Sequence, residues 1–174
     1  MTRAVAVSAP AKINLCLGVG AVRADGFHAL ATVYQAVGLH DRVTVSTADE
    51  TVVHVHGDDR LDLSQVPTDD RNIAVRAARL LAAHHGLEEE VSISIDKGIP
   101  VAGGMAGGSA DAAATLLACD VLWETATPRD DLLRLAGQLG SDVPFAIVGG
   151  TALGSGHGEL VTPVMARGEF WWVV

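Results

Sequence analysis

The sequence predicts an α+β domain, a mostly antiparallel sheet with helices packed on one side. Three observations carry that reading. Short runs rich in β-branched residues alternate apolar with polar, most cleanly at Val91-Ser-Ile-Ser-Ile-Asp96. Two helix-forming segments rich in alanine and leucine, Asn72 to His85 and Ala110 to Trp123, are interleaved with them. The chain has 174 residues of which 49% are hydrophobic, enough for one domain with a buried core, and no repeat or low-complexity tract marks a second.

In chain order, Arg3 to Ser8 and Lys12 to Val19 read as one strand pair, and Arg42 to Thr47 with Val52 to His56 as another. The polar, turn-rich stretch from Gly57 to Arg71 reads as a mobile loop. Asp69 or Asp70 is expected to cap the helix from Asn72, which stops at Gly86. After the strand Val91 to Asp96, the segment from Ile99 to Ala114 leads into the next helix through Gly103, Gly104, Gly107 and Gly108, with Ser109 as the expected cap. Leu116, Leu117, Val121 and Leu122 then form a core-facing stripe. Thr127-Pro128, followed by Asp130 and Asp131, opens a further helix that stops at Gly140. Glu169-Phe-Trp-Trp-Val-Val174 is apolar and strand-like, an open edge suited to self-association.

The glycine-rich segment carries the first chemical signal. Its glycines let a ligand approach the backbone, and the free N–H groups of the helix start, with the positive end of the dipole, face an anion. A merely flexible connection is the alternative. Gly103 and Gly108 have P-loop spacing, but Ser109 and Ala110 stand where that motif needs lysine and then serine or threonine. The dinucleotide pattern Gly-x-Gly-x-x-Gly is absent as well.

With 12 basic against 21 acidic residues the net charge is −9, which disfavours nucleic acid or an anionic membrane as partner. Cys16 and Cys119, the only cysteines, read as reduced core thiols of a cytoplasmic protein. Lys12 interrupts the early apolar run, unlike a signal peptide, and no stretch reaches membrane-span length.

Four segments, in order, carry a family resemblance. Pro100, Val101, Ala102, Gly103, Gly104, Met105, Ala106, Gly107, Gly108, Ser109 and Ala110 together resemble the ATP-binding motif of the galactokinase, homoserine kinase, mevalonate kinase and phosphomevalonate kinase (GHMP) superfamily. Ala9-Pro-Ala-Lys-Ile-Asn-Leu15 resembles its N-terminal motif and Leu139-Gly-Ser-Asp-Val-Pro-Phe145 its catalytic-aspartate segment. Within the superfamily, Arg23-Ala-Asp-Gly-Phe-His28 is similar to the branch acting on 4-diphosphocytidyl-2-C-methyl-D-erythritol, in the non-mevalonate route to isoprenoid precursors. The resemblance implies a fold similar to the second domain of ribosomal protein S5, and ATP-dependent phosphorylation of that substrate's 2-hydroxyl.

The resemblance also implies residue roles. Asp142 is the base that accepts the hydroxyl proton and Lys12 lies beside it; read as bare sequence, Asp142 is a turn former and Lys12 an outward-facing strand lysine. Asn14 adds a hydrogen bond near the methylerythritol part, or is a strand residue facing a turn. Phe27 lies against the cytosine ring and His28 hydrogen-bonds to the base, while Asp25-Gly26 forms a tight turn. Phe27 and Ala29 depart from the tyrosine and glutamate common in the branch. Magnesium accompanies ATP, with Ser109 the loop hydroxyl that could touch it. Asp111 is expected to point away from the phosphates. Family members continue into a second domain, so residues 1–174 are expected to be the N-terminal, ATP-binding portion. The alternatives are another kinase of the superfamily, of mevalonate or homoserine type, and a non-catalytic S5-like binding domain.

Overall fold

The computed structural model describes residues 3–22 and 28–173. The described residues form a six-stranded sheet and four α-helices. The strands are β1 (Ala4–Val22), β2 (His28–Thr47), β3 (Val52–Gly57), β4 (Val91–Lys97), β5 (Thr151–Ser155) and β6 (Leu160–Pro163). The helices are α1 (Ile73–His85), α2 (Gly107–Leu122), α3 (Arg129–Leu139) and α4 (Val143–Val148).

Arg3 to Ser8 and Lys12 to Val19 do not pair with each other: they are successive parts of β1, which runs antiparallel to β2 along its whole length. The register shifts between Pro10 and Ala11, so the proline, which has no N–H to give a ladder, sits at an irregularity where one is not required. On its other side β2 pairs with β4 through Arg42–Thr47 and with β5 through Thr32–Gln35. Val52 to His56 lies beside β4, not β2, and the β3–β4 pair is the parallel one in an otherwise antiparallel sheet. The α+β expectation thus holds, while the partners of both strand pairs are corrected.

Alternation in β4 is as regular as its sequence suggests: Val91, Ile93 and Ile95 are fully buried. With Val43 and Val45 of β2 they meet α1, through Ala74, Ala78 and Leu81, and α2. Helix α2 is buried nearly all round from Ala110 to Cys119, which its run of alanines permits, since small side chains let neighbours approach closely. Val121 is exposed, not part of the core stripe. Cys119 is buried, and burial pushes its thiol up to about 12, but Cys16 is exposed, contrary to expectation.

Asn72, not Asp69 or Asp70, caps α1, accepting from the Ala74 amide at 2.9 Å. Asp69 instead accepts from the Arg71 backbone and guanidinium, and Gly86 closes the helix with φ of 66°. The stretch after β3 is tied down locally by a 3-10 turn (Leu63–Gln65) capped by Asp62, and by the Asn72 amide donating to the Pro67 carbonyl. Residues 169–173 form no strand, so the edge expected there is not present among the described residues. Among the described residues no helix is long and apolar enough to cross a membrane.

Candidate active site

The strand-to-helix crossing builds an anion cradle. Helix α2 begins three residues earlier than its alanine run suggests, and its N-cap is Ala106, with φ of 60°, not Ser109. The first helical bond runs from the Ala110 amide to the Ala106 carbonyl, so the amides of Gly107, Gly108 and Ser109 precede it and remain available at the positive end of a 16-residue helix. Left-handed backbone occurs at Ala102 and Ala106 as well as Gly104, with φ of 56°, 60° and 70°. Two of these three positions carry a Cβ, a local strain that the rest of the loop must hold in place. Gly107 is needed for another reason: a Cβ there would lie 3.2 Å from Lys97 Nζ and 3.3 Å from Ile99 Cγ2.

Beneath this turn lies a buried charge cluster that sequence reasoning missed. Lys97, at the end of β4, donates to both Asp41 and Asp111. Asp41 also accepts from the amides of Gly98 and Ile99 at 2.8 and 2.9 Å, so both of its oxygens are engaged. Asp111 points inward to Lys97 and lines a cavity of about 190 Å³ with Asn72, Pro100, Gly107 and Gly108; it therefore does not turn away from the cradle. Its Oδ1 is buried and has no hydrogen-bond partner. Burial pushes its carboxyl up to about 7, Lys97 pulling against this and the Asp41 charge adding to it. In the sequence the cluster shows only as a lysine closing an alternating strand and an aspartate, Asp111, in the first turn of the next helix.

The Met105 carbonyl accepts from the Lys12 amide at 3.1 Å, tying the loop to β1. Lys12 Nζ lies 3.5 Å from Asp142 Oδ2 and donates to Asn14 Oδ1 at 2.7 Å. Asn14 in turn donates to Thr32, whose hydroxyl donates to the Cys16 carbonyl. Residues 12 and 14 of one segment and 142 of another are thus brought together. Asp142 occupies the N-cap position of α4 but its side chain caps nothing. Pro144 removes one of the amides such a cap would use, which leaves the carboxylate for other partners. Tyr34 of β2 is one: its phenol donates to Asp142 Oδ1 at 3.0 Å. Burial above all, with the Asp142 charge and hydrogen bond and the Glu159 charge, holds that phenol protonated far above the ordinary tyrosine range.

His28 lines a separate cavity of about 530 Å³ with Leu30, Ser141, His157 and Glu159, beside the residue that precedes Asp142. Its Nδ1 is 2.8 Å from the Gly20 carbonyl, a contact that requires an Nδ1–H and leaves Nε2 as acceptor in the neutral ring. Phe27 and the Asp25-Gly26 turn lie outside the described residues. Among the described residues no group of three or more His, Cys, Asp or Glu is arranged to hold a metal.

Residues 72–150 match the family described as GHMP kinases N terminal domain. These residues carry a GHMP kinase N-terminal domain. Relatives with high identity extend over nearly all of the chain. It is 63% identical over 166 residues to the 4-diphosphocytidyl-2-C-methyl-D-erythritol kinase of a Nocardioides species, covering 95% of this chain and 56% of that protein. With the protein of the same name from Mycobacterium tuberculosis the identity is 55%, over 99% of this chain and 54% of the relative. A crystal structure of 4-(cytidine 5'-diphospho)-2C-methyl-D-erythritol kinase superposes with a TM-score of 0.73 at 36% identity, over 93% of this chain and 56% of that one. The mevalonate kinase of Methanococcus jannaschii, at 13% identity and a TM-score of 0.68, shares the fold. The chain spans about half the length of the curated relatives it matches.

Proposed function

We propose that the chain supplies the ATP-binding and catalytic part of a kinase that phosphorylates the 2-hydroxyl of 4-diphosphocytidyl-2-C-methyl-D-erythritol, the substrate named for its relatives. The observation that carries this reading is the Lys12–Asp142 pair, hydrogen-bonded through β1 to the loop that opens α2. In the proposed reaction the substrate hydroxyl gives its proton to Asp142 and its oxygen attacks the γ-phosphorus, with ADP leaving. Lys12 attracts the carboxylate and meets charge on the hydroxyl oxygen.

The amides of Gly107, Gly108 and Ser109 would hold phosphate oxygens, with the loop from Pro100 to Ala106 and Ala110 completing the ATP site. The small cavity beside that turn would take the nucleoside end. Magnesium, held chiefly by the phosphates, would supply charge neutralisation, and Ser109 is the loop hydroxyl that suits it. Asn14 would contact the methylerythritol part. His28 Nε2 suits the exocyclic amine of cytosine as an acceptor, and Phe27 would lie against that base. We place the reaction in the cytoplasm, where ATP is supplied.

The test is ADP release by the purified chain with ATP and magnesium, and by a version extended to the relatives' length through a C-terminal domain. The substrate panel contains the cytidyl compound, mevalonate and homoserine. ADP release stimulated by the cytidyl compound alone supports the proposal. Stimulation by mevalonate or homoserine instead would reassign the chain to another GHMP activity, and RNA binding in a gel shift without ADP release would favour a binding domain.

A further inference from the structure

We propose that Tyr34 is a positioning residue for Asp142, its phenol fixing the carboxylate so that the oxygen on the Lys12 side faces the accepting hydroxyl; this rests on the kinase reading above. The two Asp142 oxygens have different partners: Oδ1 takes the Tyr34 hydroxyl at 3.0 Å, and Oδ2 faces Lys12 Nζ at 3.5 Å. A carboxylate turns readily about its last torsion, which is broad and nearly two-fold. With the Asp142 side chain 28% exposed and making no helix cap, one loose ion pair would not fix it. A base needs a defined oxygen within hydrogen-bond reach of the proton it takes.

Tyr34 is itself unable to move. It is 2% exposed, and its ring stacks on Phe145 at 4.8 Å between centroids. Two glycines make room for it: a Cβ on Gly154 would lie 2.4 Å from Tyr34 Cε2, and one on Gly158 would lie 2.5 Å from the phenol oxygen. The phenol has one proton to give. The Gly158 carbonyl, at 3.5 Å, is neutral and farther than the carboxylate, so the proton goes to Asp142. A side chain enclosed this tightly, with its polar end aimed at the candidate base, is a fixed strut.

Tyr34 is the only tyrosine of the chain, so tyrosinate absorbance in an alkaline titration reports on it alone. Read at pH values where circular dichroism shows the fold intact, Asp142→Asn should raise the tyrosinate fraction at a given pH, because the adjacent negative charge is gone. Tyrosinate appearing at the same pH in parent and variant would overturn the contact. In kinetics, Tyr34→Phe should lower kcat about tenfold and leave KM for ATP within about twofold, as loss of a hydrogen bond to a charged group predicts. In an Asp142→Asn background it should cost nothing further. An equal loss in both backgrounds, or a raised KM with kcat unchanged, would overturn the positioning role. If Tyr34→Phe does not fold, the titration still decides the contact, since Asp142→Asn leaves the tyrosine in place. Absence of turnover even in the extended chain would overturn the kinase reading, and the positioning role with it, apart from the titration result.

Discussion

Lys97 Nζ stands 2.7 Å from Asp111 Oδ2, and the two side chains are only 3% and 4% exposed. With Asp41 on its other side, this lysine compensates two carboxylates directly under the turn that opens α2. Lys97→Met should therefore destabilise the fold by about 3 kcal/mol at neutral pH, the order expected when a buried ion pair loses one partner. The loss should shrink at about pH 5, because Asp111 can then take up a proton and cease to be an uncompensated charge. Urea unfolding at both pH values tests this; a loss that does not change between them would count against the assignment.

Asp111 should also leave a mark on the stability of the unaltered chain. Its folded pKa, about 7, lies above the ordinary carboxyl value of 3.8, so the native state holds a proton that the unfolded state has already released. Stability from this group is present below about pH 4 and is lost as pH rises towards 7. Asp111→Asn abolishes the titration while keeping an oxygen for Lys97. The variant should gain stability relative to the parent across that window, and a flat difference would contradict it.

Two neighbouring glycines separate fold from function. A Cβ on Gly107 would lie 3.2 Å from Lys97 Nζ, 3.3 Å from Ile99 Cγ2 and 3.4 Å from Asp41 Oδ2, and the pinned ammonium cannot yield, so Gly107→Ala should cost about 1–3 kcal/mol. At Gly108 the nearest atom is Ile73 Cγ2 at 3.7 Å, an ordinary contact. Gly108→Ala should leave the melting temperature unchanged or slightly higher, yet weaken ATP binding in calorimetry by crowding the first turn. Retained affinity would show that no phosphate rests there.

The sequence reading succeeded where the information is local and failed where it is not. The two-residue period of β4 and the glycine-to-alanine transition into α2 were legible because each is encoded in consecutive residues. Strand partners were not: nothing in Val52 to His56 records that β4 inserts between it and β2. The cap of α1 went to Asp69 or Asp70 because aspartate and asparagine serve equally, and only geometry chose Asn72. Lys12 and Asp142 were found through resemblance, and the structure brings them within 3.5 Å. Tyr34 escaped notice because a buried aromatic on an alternating strand looks like core until its hydroxyl is seen to meet Asp142. Asp41 and Lys97, 56 residues apart, are likewise joined only by the β2–β4 pairing.

On the proposed reading, His28 bears on substrate choice. It is exposed beside a cavity that the loop residues do not line, so His28→Ala should leave ATP binding alone. KM for the cytidyl substrate should rise about tenfold, the order of one hydrogen bond to a base edge, while KM for ATP stays within about twofold. Equal rises for both substrates would argue that the histidine serves the fold near Gly20 and does not read a base.

The Lys12–Asp142 pair gives the most direct prediction. The Asp142 carboxylate is about a quarter exposed and caps no helix, and the Lys12 side chain is mostly covered but reaches an exposed surface. Neither is deeply enough buried for its loss to unfold the domain. Asp142→Asn should lower kcat by about 10²- to 10⁴-fold, the range attributed to a general base, with a melting temperature near that of the parent. Lys12→Ala should lower kcat by a comparable factor, and in the Asp142→Asn background it should cost much less than it does alone, since the two act on one proton and one hydroxyl. Rate and melting temperature measured on the same preparations decide the matter. If the melting temperature falls in step with the rate, the pair is a structural tie between β1 and the start of α4.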